Sequence, residues 1–134
     1  MSLYHCIMSK TILVVEDTAD LLIHITEVLQ MEGWQVSCAS NGEEALTKLV
    51  SSNPDLIITD LMMPEINGFD FIKLVRANVR WKEVPILVFS ALPVHENEKI
   101  VFDLGANSYL KKPCTLDALV ELVNQLMVDS LNRQ

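Results

Sequence analysis

Asp55-Leu56-Ile57-Ile58-Thr59-Asp60 runs directly into Asp60-Leu61-Met62-Met63-Pro64-Glu65-Ile66-Asn67-Gly68. Four apolar or β-branched residues lead into a carboxylate, and a Met-Pro turn and a glycine follow. A short run bounded in this way reads as a strand buried on both faces, as in a parallel sheet. An acid at its end lies on the carboxyl edge of the sheet, where open α/β folds bind ligands. An isolated Asp there more often only ends a strand or starts a turn. The other strand ends decide the matter.

Working outward, residues 11–16 (Thr-Ile-Leu-Val-Val-Glu) form a first buried strand, β1. Asp17, Thr18 and Asp20 supply helix-start chemistry. Leu21, Leu22, Ile25, Val28 and Leu29 recur at helical spacing, so α1 runs to about Glu32 and stops at Gly33. Residues 34–39 read as β2, an edge strand, because Gln35 and Ser37 are polar. Ser40-Asn41-Gly42-Glu43 has a capping-box pattern and opens α2, with Ala45, Leu46, Leu49 and Val50 facing the core until Asn53-Pro54 breaks it. β3 delivers Asp60. Asn67-Gly68 starts α3, with Phe71, Ile72 and Val75 inward. Residues 85–90 are β4, 94–104 are α4 closed by Gly105, and 107–111 are a short β5. Thr115 caps α5, whose Leu116, Leu119, Val120, Val123 and Met127 share a face that ends near Val128. Five strands alternating with five helices of similar size require crossover connections, hence a parallel sheet with helices on both faces. The rest of the chain is a leader over 1–10 and a tail over 129–134. The leader lacks periodicity and reads as a flexible arm, with part of it foreign to the native chain or with Met8 as the native start.

The 134 residues suit one domain and can bury a sizeable core without staples. Half of them are hydrophobic, which argues against disorder. The net charge of −8, from 18 acids and 10 bases, disfavours direct nucleic-acid or anionic-membrane binding. Cys6, Cys38 and Cys114 are odd in number and far apart, so they read as reduced thiols of a cytoplasmic protein. No apolar run approaches the ~18 residues of a membrane-spanning helix.

In a parallel sheet all strand ends share one rim. β1 ends in Glu16-Asp17, β3 in Asp60, β4 in Ser90-Ala91 and β5 in Lys112-Pro113. If those strands are neighbours, three carboxylates, a hydroxyl and an ammonium meet in one pocket. Carboxylates that close repel one another, so the pocket wants a cation. Oxygen donors at a solvent-accessible rim suit Mg²⁺, which keeps several waters and accepts phosphate oxygens. Lys112 then offers a point charge to a phosphate oxygen, Ser90 a short hydrogen-bond donor, and Asp60 a nucleophile able to form an aspartyl phosphate.

These features together resemble the receiver domains of two-component response regulators, similar to the single-domain chemotaxis type. The matched stretches are Glu16-Asp17, Asp60-Leu61-Met62-Met63-Pro64 with Gly68, Ser90-Ala91, and Gly105-Ala106-Asn107-Ser108-Tyr109-Leu110-Lys111-Lys112-Pro113. They span 11–128, the expected receiver domain. The resemblance implies a flavodoxin-like, doubly wound (βα)5 fold of the α/β class with strand order 2-1-3-4-5. It implies Asp60 as phosphoacceptor. Mg²⁺ would be held by Asp17, Asp60, the Met62 backbone carbonyl and, through a metal water, Glu16. Lys112 would contact the phosphate, Ser90 would be the switch hydroxyl and Tyr109 the switch aromatic. The implied partners are a histidine kinase or histidine phosphotransfer protein and a downstream target at an α4–β5–α5 surface, with the chain a monomer or weak dimer. It is expected not to be an enzyme beyond its own phosphotransfer and dephosphorylation. Receivers also resemble one another in two positions that flank the line of water attack. Here they are Met62 and Leu92, which cannot orient a water, so a slow loss of the phosphoryl group is expected.

Some residues depart from the family's pattern. Glu16 stands where many members have Asp. Cys114 follows Pro113 where an aromatic is usual, and its thiol reads as a small core residue rather than a redox switch. Phe102 reads either as part of a wide buried stripe on α4 or as part of the contact surface with Tyr109. Lys111 reads as a solvated strand residue, His24 as a solvated helix residue, and Trp34 and Trp81 as packing at element ends. His5 and His95 lack partners at metal spacing. The alternatives are a module cut from a larger regulator or hybrid kinase, and an FMN protein or Asp-nucleophile phosphatase of similar fold. A phosphatase would suit a second acid two residues after Asp60, where Met62 stands.

Overall fold

The computed structural model describes residues 10–132. The sheet has five strands, β1 (Thr11–Val15), β2 (Gln35–Ala39), β3 (Leu56–Thr59), β4 (Ile86–Ser90) and β5 (Ser108–Lys111). Every pairing is parallel and the order is β2-β1-β3-β4-β5. The helices are α1 (Ala19–Met31), α2 (Gly42–Ser52), α3 (Gly68–Ala77), α4 (Val94–Leu104) and α5 (Leu116–Asn132), with a 3₁₀ turn at Val79–Trp81. This is the expected flavodoxin-like doubly wound architecture.

Strand residues alternate between two cores because successive side chains point to opposite faces. Leu13, Val15, Ile57, Ile86 and Val88 pack with Ala45 and Leu49 of α2, Phe71, Ile72 and Val75 of α3, and Val101 of α4. Ile12, Val14, Leu56, Ile58, Leu87 and Phe89 pack with Ile25 and Leu29 of α1 and Leu119, Val123 and Met127 of α5. Burial on both faces makes the three central strands continuous apolar runs, whereas edge strand β2 is only partly covered.

Several local expectations shift. Val50 is exposed rather than facing the core, because α2 buries the narrower stripe of Ala45 and Leu49. The α2 cap sits one residue later than the Ser40–Glu43 pattern. Asn41 is the N-cap and accepts from the Glu44 amide at 2.7 Å, while Glu44 reaches back to the Ser40 amide at 3.1 Å. α5 runs on to Asn132, since nothing after the apolar stripe breaks a helix, so the tail expected from residue 129 is helical in its first four residues. Lys10, just before β1, is tied to the sheet rather than part of a loose arm. Its carbonyl accepts from the Gln35 amide and its ammonium lies 3.6 Å from Asp55. Residues 1–9 of the expected leader, with His5 and Cys6, lie outside the described residues, as do 133–134. Trp34 precedes β2, is buried, and donates from Nε1 to Asn124 of α5 at 2.8 Å.

Candidate functional site

β1, β3 and β4 are adjacent, and β5 lies beside β4, so their carboxyl ends form one rim. Asp60 follows Thr59, and its amide still donates to Val15 of β1 at 3.1 Å. The ladder therefore carries the acid to the edge and holds it there. Glu16 extends β1 in the same way through its amide to Ala39. Lys112 extends β5 through its amide to the Ser90 carbonyl at 2.9 Å. Gly68 opens α3 against this edge. A Cβ at that position would overlap the Asp60 carbonyl oxygen and the Leu61 Cα, so only glycine lets α3 start so close to the acid.

The side chains converge. Carboxylate oxygens of Glu16, Asp17 and Asp60 lie within 4.8 Å of one another. Glu16 is 2 % and Asp60 7 % exposed, whereas Asp17 faces solvent. Lys112 Nζ donates to Glu16 Oε1 at 2.6 Å and to Asp60 Oδ2 at 3.0 Å. Asp60 Oδ1 accepts from the amides of Leu61 at 2.6 Å and Met62 at 3.2 Å. Glu16 Oε2 accepts at 3.1 Å from the amide of Thr18, the N-cap residue of α1, whose own side chain makes no cap bond. Burial pulls the Lys112 ammonium down, the hydrogen bonds to Glu16 and Asp60 outweigh that, and its pKa ends raised. Lys112 is held fully charged at neutral pH.

Three carboxylates face one ammonium, leaving two negative charges uncompensated. The donor atoms are hard oxygens on a rim open at Asp17. That set fits Mg²⁺ better than a thiophilic metal. The Met62 peptide is drawn to the same place by the hydrogen bond its N–H donates to Asp60 Oδ1, and its side chain is 59 % exposed.

Ser90 ends β4 fully buried, and its Oγ accepts from the Leu92 amide at 3.2 Å. The Tyr109 hydroxyl donates to the Leu92 carbonyl at 2.9 Å. The peptide groups on either side of Leu92 are thus held by the two residues expected to switch. Burial raises the Tyr109 phenol, with the Ser90 hydroxyl acting against it and the Asp60 charge adding to it. Leu92 and Met62 line one cavity of about 410 Å³ together with Asp17, Met63, Pro64 and Phe69.

Two contributors were not singled out from the sequence. Phe89 places its ring centroid 5.2 Å from Lys112 Nζ, an aromatic floor for the ammonium. Glu65 holds a left-handed backbone (φ 67°) in the loop that follows Asp60. Phe89 carried no signal because an aromatic in a buried strand is ordinary core. Of the open readings, Lys111, His24 and His95 are solvent-facing, and Phe102 at 39 % exposed lies outside the core. Cys114 is half-buried against the α1–α5 core with its thiol raised by burial, as suits a packing residue.

A family model described as the response regulator receiver domain matches residues 12–124. The chain belongs to this family. Among relatives, this receiver is 37 % identical over 134 residues to the alkaline phosphatase synthesis transcriptional regulatory protein SphR of Synechococcus elongatus, covering 93 % of this chain and 51 % of that protein. It is 34 % identical over 120 residues to the transcriptional regulatory protein CssR of Bacillus subtilis, covering 90 % and 52 %. The receiver thus spans about half the length of the curated relatives it matches. Among solved structures, the chemotaxis response regulator CheY4 of Vibrio cholerae aligns with a TM-score of 0.83 at 31 % identity, covering 87 % of this chain and 98 % of that one. Receiver domains serve two-component signalling, are phosphorylated by histidine kinases and bind Mg²⁺ in an acidic pocket. Among the described residues no helix is long and apolar enough to cross a membrane.

Proposed function

We propose that this receiver takes a phosphoryl group on Asp60 in a Mg²⁺-dependent reaction and signals through its α4–β5–α5 surface. The observation that carries the reading is the surplus of two negative charges around a nucleophilic carboxylate. Asp17 and Asp60, with the Met62 carbonyl and a water on Glu16, would hold the ion, which would neutralise the incoming phosphoryl oxygens. Asp60 oxygen forms the new bond to phosphorus as the bond to the donor histidine nitrogen breaks, and the imidazole departs with the electron pair. Lys112 already sits on Asp60 and moves onto a phosphoryl oxygen. Ser90 turns its hydroxyl proton towards the same group, and Tyr109 follows into the space behind it. The phosphoryl group's added charge is what biases this two-state element.

The donor in this reading is a histidine kinase or a histidine phosphotransfer protein, and the target is a protein rather than nucleic acid or membrane. The extra length of the curated relatives supports the same module working inside a longer regulator. The near-complete match to CheY4 supports it working as a single domain, residues 11–128. The site chemistry is identical in both settings.

The phosphoryl group should persist. Met62 and Leu92 both line the cavity beside Asp17, and neither can hydrogen-bond a water. Without a water-positioning group the hydrolytic barrier rises, and each ~1.4 kcal/mol slows the step about tenfold. Phosphoprotein decay after donor removal should be faster in the Met62→Asn, Leu92→Glu double variant. No acceleration in a folded, equally labelled variant would refute this assignment.

Incubation with acetyl phosphate and Mg²⁺, followed by intact mass, tests the whole reading. One phosphoryl group should appear, only with a divalent cation, acid-stable and base-labile, and absent in Asp60→Asn. Equal labelling of Asp60→Asn would remove Asp60 from its role.

A further inference from the structure

Glu16, Asp60, Phe89 and Lys112 share one face of the sheet. Successive strand residues point to opposite faces, and each of the four stands two positions after a residue packed in the α1–α5 core, namely Val14, Ile58, Leu87 and Leu110. Glu16, Asp60 and Lys112 follow the last residues of β1, β3 and β5, whereas Phe89 lies within β4, one residue before its end. The ring therefore sits just below the rim, on the core side of the charges, and the same core holds it in place. Phe89 is the one aromatic residue in the three central strands, whose other buried side chains are aliphatic apart from Thr59 and Ser90. Filling the core at this point needs bulk, but it does not need a π face. That face has a use through Lys112, whose Nζ lies 5.2 Å from the ring centroid, within the ~6 Å over which an aromatic ring attracts a cation. The ammonium is thus held between two carboxylates and the negative face of a ring.

We infer that Phe89 is a positioning residue for phosphoryl transfer, its ring keeping the Lys112 ammonium in the pocket while the carboxylates are engaged with Mg²⁺. The consequence for transfer rests on the proposed phosphoacceptor role of Asp60, but the ring contact does not. Lys112 holds Glu16 and Asp60, the same groups a bound cation draws on. Once those oxygens are shared with Mg²⁺, their grip on the ammonium weakens. The ring is a contact for which Mg²⁺ does not compete, because that ion takes oxygen donors. Lysine's four-carbon stem is flexible and its head is strongly hydrated, and the Lys112 side chain is partly open to solvent. Without the ring, the ammonium would be free to swing out to water at the moment a phosphoryl oxygen needs it. Phe89 touches no reacting atom and acts only through Lys112.

The ring's charge can be changed while its packing is kept. Ring fluorines withdraw electrons from the face and weaken its attraction for a cation, with little change in volume. Mono-, di- and trifluorophenylalanine placed at position 89 should weaken beryllofluoride binding with saturating Mg²⁺ in steps, by about threefold to tenfold over the series. ¹⁹F NMR reads that binding. Affinity for Mg²⁺ alone should not fall. The same series at Phe71, buried in the opposite core, should leave beryllofluoride binding unchanged. A further readout needs neither metal nor phosphate. In metal-free protein, the Lys112 methylene protons next to Nζ should resonate upfield of those of the other lysines, and Phe89→Leu should return them. A flat response to fluorination at 89, an equal response at 71, or Lys112 protons without an upfield shift would overturn the inference. So would Mg²⁺ affinity falling in step with beryllofluoride affinity, since the ring would then support the whole pocket. Absence of beryllofluoride binding by the unsubstituted protein would instead count against the phosphoacceptor reading, with the Lys112 proton shift still judging the ring contact.

Discussion

At the amino edge of the sheet, the half-buried charges of Lys10, Asp55 and Arg76 have their partners. Asp55 accepts from the Thr11 amide at 2.9 Å and pairs with Lys10, and the Arg76 guanidinium meets three acceptors. At the carboxyl edge, Glu16, Asp17 and Asp60 share one ammonium. Both edges belong to the same strands and lie under the same helices, so the fold does not require the second arrangement. A saturated edge stabilises the fold, whereas an edge with uncompensated charge is held in place by the rest of the molecule and has binding capacity to spare.

The contrast can be broken from the saturated side first. Arg76→Met should lower unfolding stability by about 2–4 kcal/mol, because it leaves three acceptors under-satisfied where hydrogen bonds to a charged group contribute ~1.5–3 kcal/mol each before partial compensation by water. Urea unfolding measures it, and a loss under about 0.5 kcal/mol would show that the cluster is replaceable.

On the open side, Lys112→Ala should bind Mg²⁺ about tenfold more tightly, since a competing cation leaves the carboxylates. The same variant should not convert phosphorylation into the wild-type NMR shifts around Tyr109. Loss of metal binding would make Lys112 part of the metal site's support rather than its competitor.

Smaller effects sharpen the picture. Asp17→Asn should raise stability without metal by about 0.5 kcal/mol, the scale of relief for an exposed repulsive charge. Stability should also fall at high pH. The pKa values of Lys112 and Tyr109 are both raised in the fold, so their contributions are complete below their unfolded values near ~10 and are lost as pH rises through the folded ones. Denaturation between pH 8 and 11 should show a steeper alkaline fall in wild type than in Tyr109→Phe.

The asymmetry between the edges also explains what the sequence could disclose. The carboxyl edge was legible because the acids and Lys112 stand at or just past the ends of short strands, and the parallel ladder does the rest. Lys112 and Glu16 are far apart in the chain, but both are strand-end residues, so their meeting follows from topology. The amino-edge cluster was not legible. Arg76, Gly105 and Asn107 sit 29 and 31 positions apart in ordinary helix and loop contexts, and nothing local marks them as partners. The α2 cap is ambiguous by one residue in the sequence because Ser40 and Asn41 can both cap, and Glu43 and Glu44 can both reach back. The exposure of Val50 is not legible, because in the sequence an apolar residue beside the stripe looks the same as one within it. The end of α5 lies beyond its apolar stripe because burial stops before helical hydrogen bonding does.

Magnesium titration of unfolding stability tests the account most directly, because it asks whether the surplus charge is a site. With Mg²⁺ at ten times its dissociation constant, wild type should gain ~1.4 kcal/mol, and at one hundred times ~2.7 kcal/mol. Asp17→Asn, folded and no less stable without metal, should lose most of that gain. Wild type unmoved by Mg²⁺, or Asp17→Asn stabilised equally, would contradict the claim that these three carboxylates are held together for a cation.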